Sequence, residues 1–306
     1  MILRWIAPLF LLLPAACATA STPAADDVSD SAPQAAAAPA PAPTPDAVPI
    51  PGPPLPPATL EGRYEQGGYI RGIAPLGSVS ATIDGTPLPL DPADSGFLVG
   101  LDRDASGETV LEFTARDGHT RTHRIAIAPR DWDIERVNVA KRPSGSSEAW
   151  WQKREPEWLA IKAARERETG ATGWRQDFIW PVTGRISGRF GRQRIYRGEP
   201  GSYHSGLDIA PGNGVPFVAP ADGVVVLART GFSLEGGIVI VDHGAGLNSA
   251  FIHLSRLAVA QGDTVRQGQR LGNVGSSGRA TGPHLHWSLM WRDKRLDPLL
   301  FLPPMP

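Results

Sequence analysis

Four histidines and one aspartate stand in three short segments of the C-terminal half of the chain. His204 and Asp208 belong to the first segment, His253 to the second, and His284 and His286 to the third. Imidazole and carboxylate groups are ligands of catalytic zinc, which takes three protein donors and keeps one position for water. The metal lowers the pKa of that water, and neighbouring imidazoles can move protons and stabilise an oxyanion. The set therefore predicts a hydrolytic metal centre.

The spacing of these residues gains its weight from their combination. H-x-x-x-D and H-x-H each arise often by chance, whereas both together in one Gly-rich segment, with His253 between them, favour a metal site. H-E-x-x-H is absent, which excludes a glutamate-based helical zinc site. The single cysteine, Cys17, excludes a thiolate zinc cluster and an internal disulfide. His243 precedes a turn and is interpreted as a structural residue.

The elements that must position these side chains are predicted to be strands. Residues at even separation in an extended chain share a face, so His284 and His286 point the same way, as His204 and Asp208 can. Residues 251–255 form a β-rich run that carries the remaining histidine. High glycine and proline content without helical periodicity predicts a compact antiparallel β domain over residues 178–306.

Residues 59–130 predict a second, smaller all-β domain. Short apolar runs recur between the turn dipeptides Asp84-Gly85 and Asp117-Gly118. The length and spacing of these runs suit an immunoglobulin-like β-sandwich. The whole chain is therefore expected to be mostly β, with an N-terminal sandwich, a short helical connector and a C-terminal antiparallel β domain.

Residues 131–177 predict the helical connector. Trp150, Trp151 and Trp158 are interleaved with charged residues at helical spacing. Pro156 is expected to divide this stretch or to open a second helix at its first turn. The tryptophans are expected to pack the connector against one of the domains, with a partner-binding helix as the alternative.

Residues 1–20 have the pattern of an export signal. Arg4 precedes a short apolar run over residues 6–13 that is too short to span a bilayer. Two cleavage sites compete: before Cys17, which would become the lipidated N-terminus of a lipoprotein, or after Ala20. Residues 21–58 contain 12 prolines and predict a disordered or polyproline-like linker. We expect an exported, periplasmic protein in either case.

The charge balance argues against one class of partner. The 30 basic and 31 acidic residues nearly cancel. Binding to nucleic acid depends on a marked excess of positive charge, which this chain lacks. No nucleic-acid partner is therefore expected.

Residues 180–301 resemble the M23 zinc metallopeptidases, also called LytM-type or lysostaphin-type endopeptidases. The motifs that carry the resemblance occur in this order along the chain: Pro181-Val182-Thr183-Gly184, Gly188-Arg189-Phe190-Gly191, His204-x-x-x-Asp208, Ala219-Pro220-Ala221-Asp222-Gly223, Val241-Asp242-His243-Gly244, His253-Leu254-Ser255 and Gly282-Pro283-His284-Leu285-His286. The upstream β domain looks like an accessory domain of some exported members.

The resemblance implies a role for each of the five residues. It implies that His204, Asp208 and His286 hold one Zn²⁺ per chain. It implies further that His253 and His284 flank the metal-bound water as base and oxyanion stabiliser, in an order that the sequence leaves open. Three glycines, Gly206, Gly223 and Gly282, match backbone positions where a side chain would crowd a turn.

The implied activity is zinc-dependent hydrolysis of the peptide cross-links of bacterial peptidoglycan. The alternative is a non-catalytic LytM-type factor that activates a separate cell-wall amidase. Such factors have typically lost metal or catalytic residues, and retention of all five positions here favours catalysis. Further expected partners are peptidoglycan stem peptides, a membrane reached through a lipidated Cys17, and a wall-hydrolase or division protein.

Overall fold

A computed structural model describes residues 53–105, 107–141 and 147–306. The export signal, Cys17 and residues 21–52 of the proline-rich linker lie outside the described residues. The described residues form one compact unit. None of its described helices is long and apolar enough to cross a bilayer.

The N-terminal part consists of two antiparallel sheets. Its strands are β1 Thr59–Arg63, β2 Tyr69–Ile73, β3 Ser78–Ile83, β4 Thr86–Pro87, β5 Gly96–Gly100, β6 Glu108–Ala115 and β7 Thr120–Ala126. One sheet has the order β1-β2-β5 and the other β4-β3-β6-β7. The rings of Phe97 and Phe113, one from each sheet, lie 5.5 Å apart and join the sheets across a shared core. The immunoglobulin-like topology and the domain boundary at residue 130 stay predictions.

The C-terminal part is built on one large antiparallel sheet. After β8 Ile134–Val137 its strands are β9 Arg185–Gly188, β10 Gln193–Tyr196, β11 Glu199–Tyr203, β12 Leu207–Ala210, β13 Pro216–Val218, β14 Gly223–Phe232, β15 Gly236–Gly244, β16 Leu247–Ile252, β17 Arg256–Leu257, β18 Thr264–Val265, β19 Arg270–Asn273, β20 Leu285–Trp291 and β21 Lys294–Leu296. The large sheet has the order β18-β14-β15-β16-β20-β12-β9, with β21 beside β20. The mostly β fold is thereby confirmed.

Two small sheets complete this part. β13, β19 and β17 form one, and β11, β10 and β8 form the other. In the second, β8 pairs in parallel with β10, so the predicted helical connector also contributes a strand. Short 3₁₀ turns lie at Gly173–Arg175 and Pro298–Phe301.

The α-helix of the described connector, α1, spans Glu148–Arg165. Ser147 caps it by accepting a hydrogen bond from the backbone N–H of Trp150. The helix continues through Pro156, so the expectation that this proline divides or restarts the helix is wrong. Proline removes one backbone hydrogen bond, and packing of the following residues Ile161 and Ala164 on the sheet compensates for that loss.

The two faces of the large sheet are covered differently. One face carries the main core, in which Leu207, Phe251 and Trp287 are fully buried. On the other face α1 packs through Ala160, Ile161 and Ala164 onto Ile240 and neighbouring apolar residues. The expected packing of the three connector tryptophans is wrong, because Trp150, Trp151 and Trp158 are 37%, 42% and 45% exposed and smaller side chains make the contact.

Candidate metal centre

Three neighbouring strands bring the predicted site residues onto one face of the large sheet. Asp208 on β12 stands directly opposite His286 on β20, and Ile252 at the end of β16 stands opposite the same histidine. Directly opposite residues of an antiparallel pair share a face. His204 lies in the short segment between β11 and β12. The sheet register therefore assembles residues that are far apart in the chain.

The donor atoms of His204, Asp208 and His286 converge on one point. His204 Nε2 lies 3.1 Å from Asp208 Oδ1 and 3.1 Å from His286 Nδ1, and the last two atoms are 2.8 Å apart. The ligands of a tetrahedral zinc ion, each about 2.0–2.1 Å from the metal, lie about 3.3 Å from one another. Two neutral nitrogen donors and one carboxylate also suit zinc chemically. The three residues therefore fit a zinc ion.

Backbone carbonyls orient the histidine rings. The oxygen of Arg189 accepts a hydrogen bond from His204 Nδ1 at 3.0 Å, which leaves Nε2 free as a metal donor. The oxygen of Ser277 accepts from His253 Nδ1 at 2.9 Å in the same way. His284 Nδ1 lies 2.9 Å from the oxygen of Gly282. These contacts turn the Nε2 atoms of the rings toward the site.

His253 and His284 stand beside the three converging donors. Their ring centroids are 4.9 Å apart, and His284 Nε2 lies 3.8 Å from Asp208 Oδ1. The predicted β run over residues 251–255 is only partly correct, because β16 ends at Ile252. His253 instead has a φ of 66°, a left-handed conformation that is uncommon for a residue with a side chain. This turn directs its ring toward the site.

Burial and hydrogen bonding set the charges of the site. Burial disfavours the carboxylate of Asp208, but hydrogen bonds from His204 and His286 outweigh it and hold the pKa of Asp208 well below its usual range. Burial lowers the pKa of His253 and of His286, against the opposing effect of their hydrogen bonds. Burial would lower the pKa of His204, but its hydrogen bond to Asp208 outweighs burial and raises it. Zinc binding would therefore have to displace the proton that His204 shares with Asp208.

Two of the three expected glycines are closely packed, Gly206 beside His286 and Gly223 beside Val241 and Asp242. A Cβ atom at Gly206 or Gly223 would lie under 3.0 Å from backbone or side-chain atoms, as expected. The expectation for Gly282 is wrong, because a Cβ there would meet nothing within 4 Å. Gly188 is closely packed too: a Cβ there would lie under 3.0 Å from Asp208 Oδ2.

His243 lies apart from the site in a buried network. Trp287 Nε1 donates to Ser249 Oγ at 3.0 Å, and that oxygen lies 2.8 Å from His243 Nε2. His243 Nδ1 donates to the carbonyl oxygen of Asp222 at 2.7 Å. The backbone carbonyls of Arg189 and Ser277, which orient His204 and His253, could not be predicted from the sequence, because every residue type has a backbone oxygen.

Comparisons with known proteins agree with this geometry. The sequence model of the family described as Peptidase family M23 matches residues 202–298. The peptidoglycan DD-endopeptidase ShyA of Vibrio cholerae is 37% identical over 125 residues, which are 40% of this chain and 28% of ShyA. A lipoprotein NlpD/LppB homolog of Pseudomonas aeruginosa is 36% identical over 131 residues, which are 43% of this chain and 40% of that protein.

A solved structure extends the likeness beyond the matched segment. A crystal structure from Pseudomonas aeruginosa, assigned to peptidase M23, has a TM-score of 0.59 and 29% identity, and covers 78% of this chain and 95% of its own. The chain spans less than half the length of the two curated relatives above. The match over residues 202–298 contains all five site residues. This segment of the chain is therefore a peptidase family M23 domain.

Proposed function

We propose that the chain is a zinc-dependent endopeptidase that hydrolyses the peptide cross-links of bacterial peptidoglycan. The observation that carries the proposal is the convergence of His204 Nε2, Asp208 Oδ1 and His286 Nδ1, whose mutual distances are 2.8–3.1 Å, beside two further imidazoles. The three donors would hold the metal and leave a position for water, which is the composition of a hydrolytic zinc site. The similarity to ShyA, a peptidoglycan DD-endopeptidase, supports the substrate class.

The two remaining histidines would divide the proton chemistry. A bound zinc ion would lower the pKa of a water molecule and polarise the peptide carbonyl. His253 is the proposed general base, because burial lowers its pKa and its Nδ1 is committed to the Ser277 carbonyl, which leaves Nε2 to accept the proton. His284 is the proposed oxyanion stabiliser, since its Nε2 lies 3.8 Å from the metal donor Asp208 Oδ1. Because its Nδ1 lies 2.9 Å from the Gly282 carbonyl, it would donate to the oxyanion with both ring nitrogens protonated.

We further propose that the chain acts outside the cytoplasm. The N-terminal export pattern supports transport to the periplasm, and Cys17 is the proposed lipid attachment site. A Cys17→Ala variant tests the anchor: the wild type is expected in the membrane fraction and the variant in the soluble periplasmic fraction. Equal distribution of both proteins would contradict lipidation.

Digestion of purified sacculi tests the activity. The zinc-loaded protein should release cross-linked fragments as monomers, and His204→Ala should not, because two donors cannot close the metal site. Unaltered cross-links with zinc-loaded protein would refute the proposal. Stimulation of a separate amidase by a zinc-free protein would instead support the non-catalytic alternative.

A further inference from the structure

A cavity of about 800 Å³ extends along the sheet face that carries the metal centre. His286 and Ser205 are among the residues that line it, together with residues of α1, β15, β16 and β20 and of the segment that follows α1. The sheet register accounts for this position: Ser288 follows His286 on β20 with one residue between them, and the two side chains share a face. The cavity is therefore continuous with the site of the proposed hydrolysis.

Arg165, the last residue of α1, holds a positive charge in this cavity. Its Nη1 donates to Asn248 Oδ1 at 2.6 Å and its Nη2 donates to Ser288 Oγ at 3.0 Å, and both acceptors are neutral. Among the described residues, no carboxylate oxygen lies within 4.0 Å of its guanidinium nitrogens. Arg165 as a whole is only half-buried, because part of its surface is open to the cavity.

Arg295 is a second positively charged residue that lines this cavity. Burial, followed by the positive charge of Arg295, lowers the pKa of Arg165 to about 10. Arg154 differs from both, because Glu235 accepts a bidentate hydrogen bond from it at 2.7 and 2.8 Å. Both guanidinium groups line the cavity, and among the described residues neither has a carboxylate oxygen within 4.0 Å, although Glu166, Glu168 and Asp293 line the cavity as well. A carboxylate of a ligand would match the planar donors of the two arginines.

The distance from the metal centre limits where that anion can be. Two residues of a strand span about 7 Å, so the Ser288 contact places the Arg165 guanidinium about that far along the sheet from His286. An extended peptide advances about 3.3–3.6 Å per residue. An anionic group of a bound peptide at this point therefore lies one or two residues from the bond at the metal.

We propose that Arg165, supported by Arg295, binds a free carboxylate of the peptide substrate one or two residues from the bond that is cut. This inference rests on the proposed function, because it assigns a specificity determinant to the same site. It implies a preference for cross-links in which the diamino acid carries a free carboxylate beside the bonded amine, over those in which that carboxylate is amidated.

Binding of a ligand that contains no cross-link tests the inference. The two probes are the stem tripeptide L-alanyl-γ-D-glutamyl-meso-diaminopimelate and the same tripeptide amidated at the carboxylate beside the distal amine. Isothermal titration of the zinc-loaded full chain should show about 10- to 100-fold tighter binding of the acid, the range expected for charge-assisted hydrogen bonds. Equal binding of the two probes, or binding of neither, would overturn the inference.

Three variants locate the preference. Arg165→Gln should bind acid and amide alike, whereas Arg165→Lys, which keeps the charge, should retain part of the preference. Arg167→Gln is the matched control, because Arg167 also lines the cavity but is exposed. A preference that survives in Arg165→Gln, or that Arg167→Gln abolishes equally, would refute the assignment.

Two further measurements keep the outcome decisive. If thermal unfolding shows that Arg165→Gln does not fold, Arg295→Gln replaces it and should reduce the acid preference several-fold; an unchanged ratio would count against the subsite. Cleavage of cross-linked dimers is followed separately. Discrimination between the tripeptides without any cleavage would refute the proposed function alone, and cleavage with equal binding would refute the carboxylate subsite alone.

Discussion

Gly188→Ala should damage the metal centre without removing a ligand. Gly188 on β9 pairs with Asp208 on β12, and a Cβ atom there would lie under 3.0 Å from Asp208 Oδ2, whereas ordinary contacts begin at 3.4 Å. The same Cβ would lie 3.1 Å from His204 Cε1. The short carboxylate side chain must therefore move by roughly 0.5–1 Å, while zinc–ligand distances tolerate about 0.2 Å.

The size of the effect follows from this displacement. Disturbing the support of a zinc ligand typically costs about 10- to 100-fold in metal affinity, or about 1.4–2.7 kcal/mol. Competition with a zinc-chelating dye measures the zinc Kd directly. Gly282→Ala is the matched control, because its Cβ meets nothing within 4 Å although its carbonyl also contacts a site histidine. Equal zinc affinity of Gly188→Ala and wild type would refute the reasoning.

Three other features give separate tests by mutation. His253→Ala and His284→Ala should each lower kcat by about 10²- to 10⁴-fold at unchanged zinc content, measured by elemental analysis; loss of zinc would contradict their proposed roles. Burial lowers the pKa of His243 to about 4. The contribution of His243 to the free energy of unfolding should therefore be fully present above about pH 6.5 and fall by on the order of 3 kcal/mol as the pH drops toward 4. His243→Gln should flatten this pH dependence, measured by urea unfolding of the zinc-free protein. Identical curves for the two proteins would contradict that. Arg154→Met should leave the half-buried Glu235 and Glu157 without their guanidinium partner and speed amide hydrogen exchange in α1 by about 100-fold, while R154M/E235M should restore part of the slow exchange. Unchanged exchange in the single variant would refute the anchoring role.

Local patterns in the sequence predict several of the longer strands. The strand expected at His286 is β20 Leu285–Trp291, and the all-β domain expected over residues 59–130 contains β6, in which Leu111 and Phe113 are buried at alternate positions. These predictions succeed because a strand with one buried face has a period of two residues, which the sequence records directly.

The assembly of the site depends on information that short segments do not contain. Asp208 and His286 meet through the register of β12 against β20, although 78 residues separate them. The left-handed turn at His253 has no glycine or asparagine to indicate it. The continuity of α1 through Pro156 likewise depends on tertiary packing against the sheet. Tertiary contacts therefore decide the features that sequence patterns missed.

Mass spectrometry of wall fragments tests the central claim most directly. Purified sacculi are incubated with zinc-loaded protein, with zinc-stripped protein and with His204→Ala, and the fragments are then compared. We expect that only the zinc-loaded wild type converts cross-linked dimers into monomers, with one water gained per bond cut. Dimers that persist with verified zinc-loaded protein, or that disappear equally with His204→Ala, would contradict it.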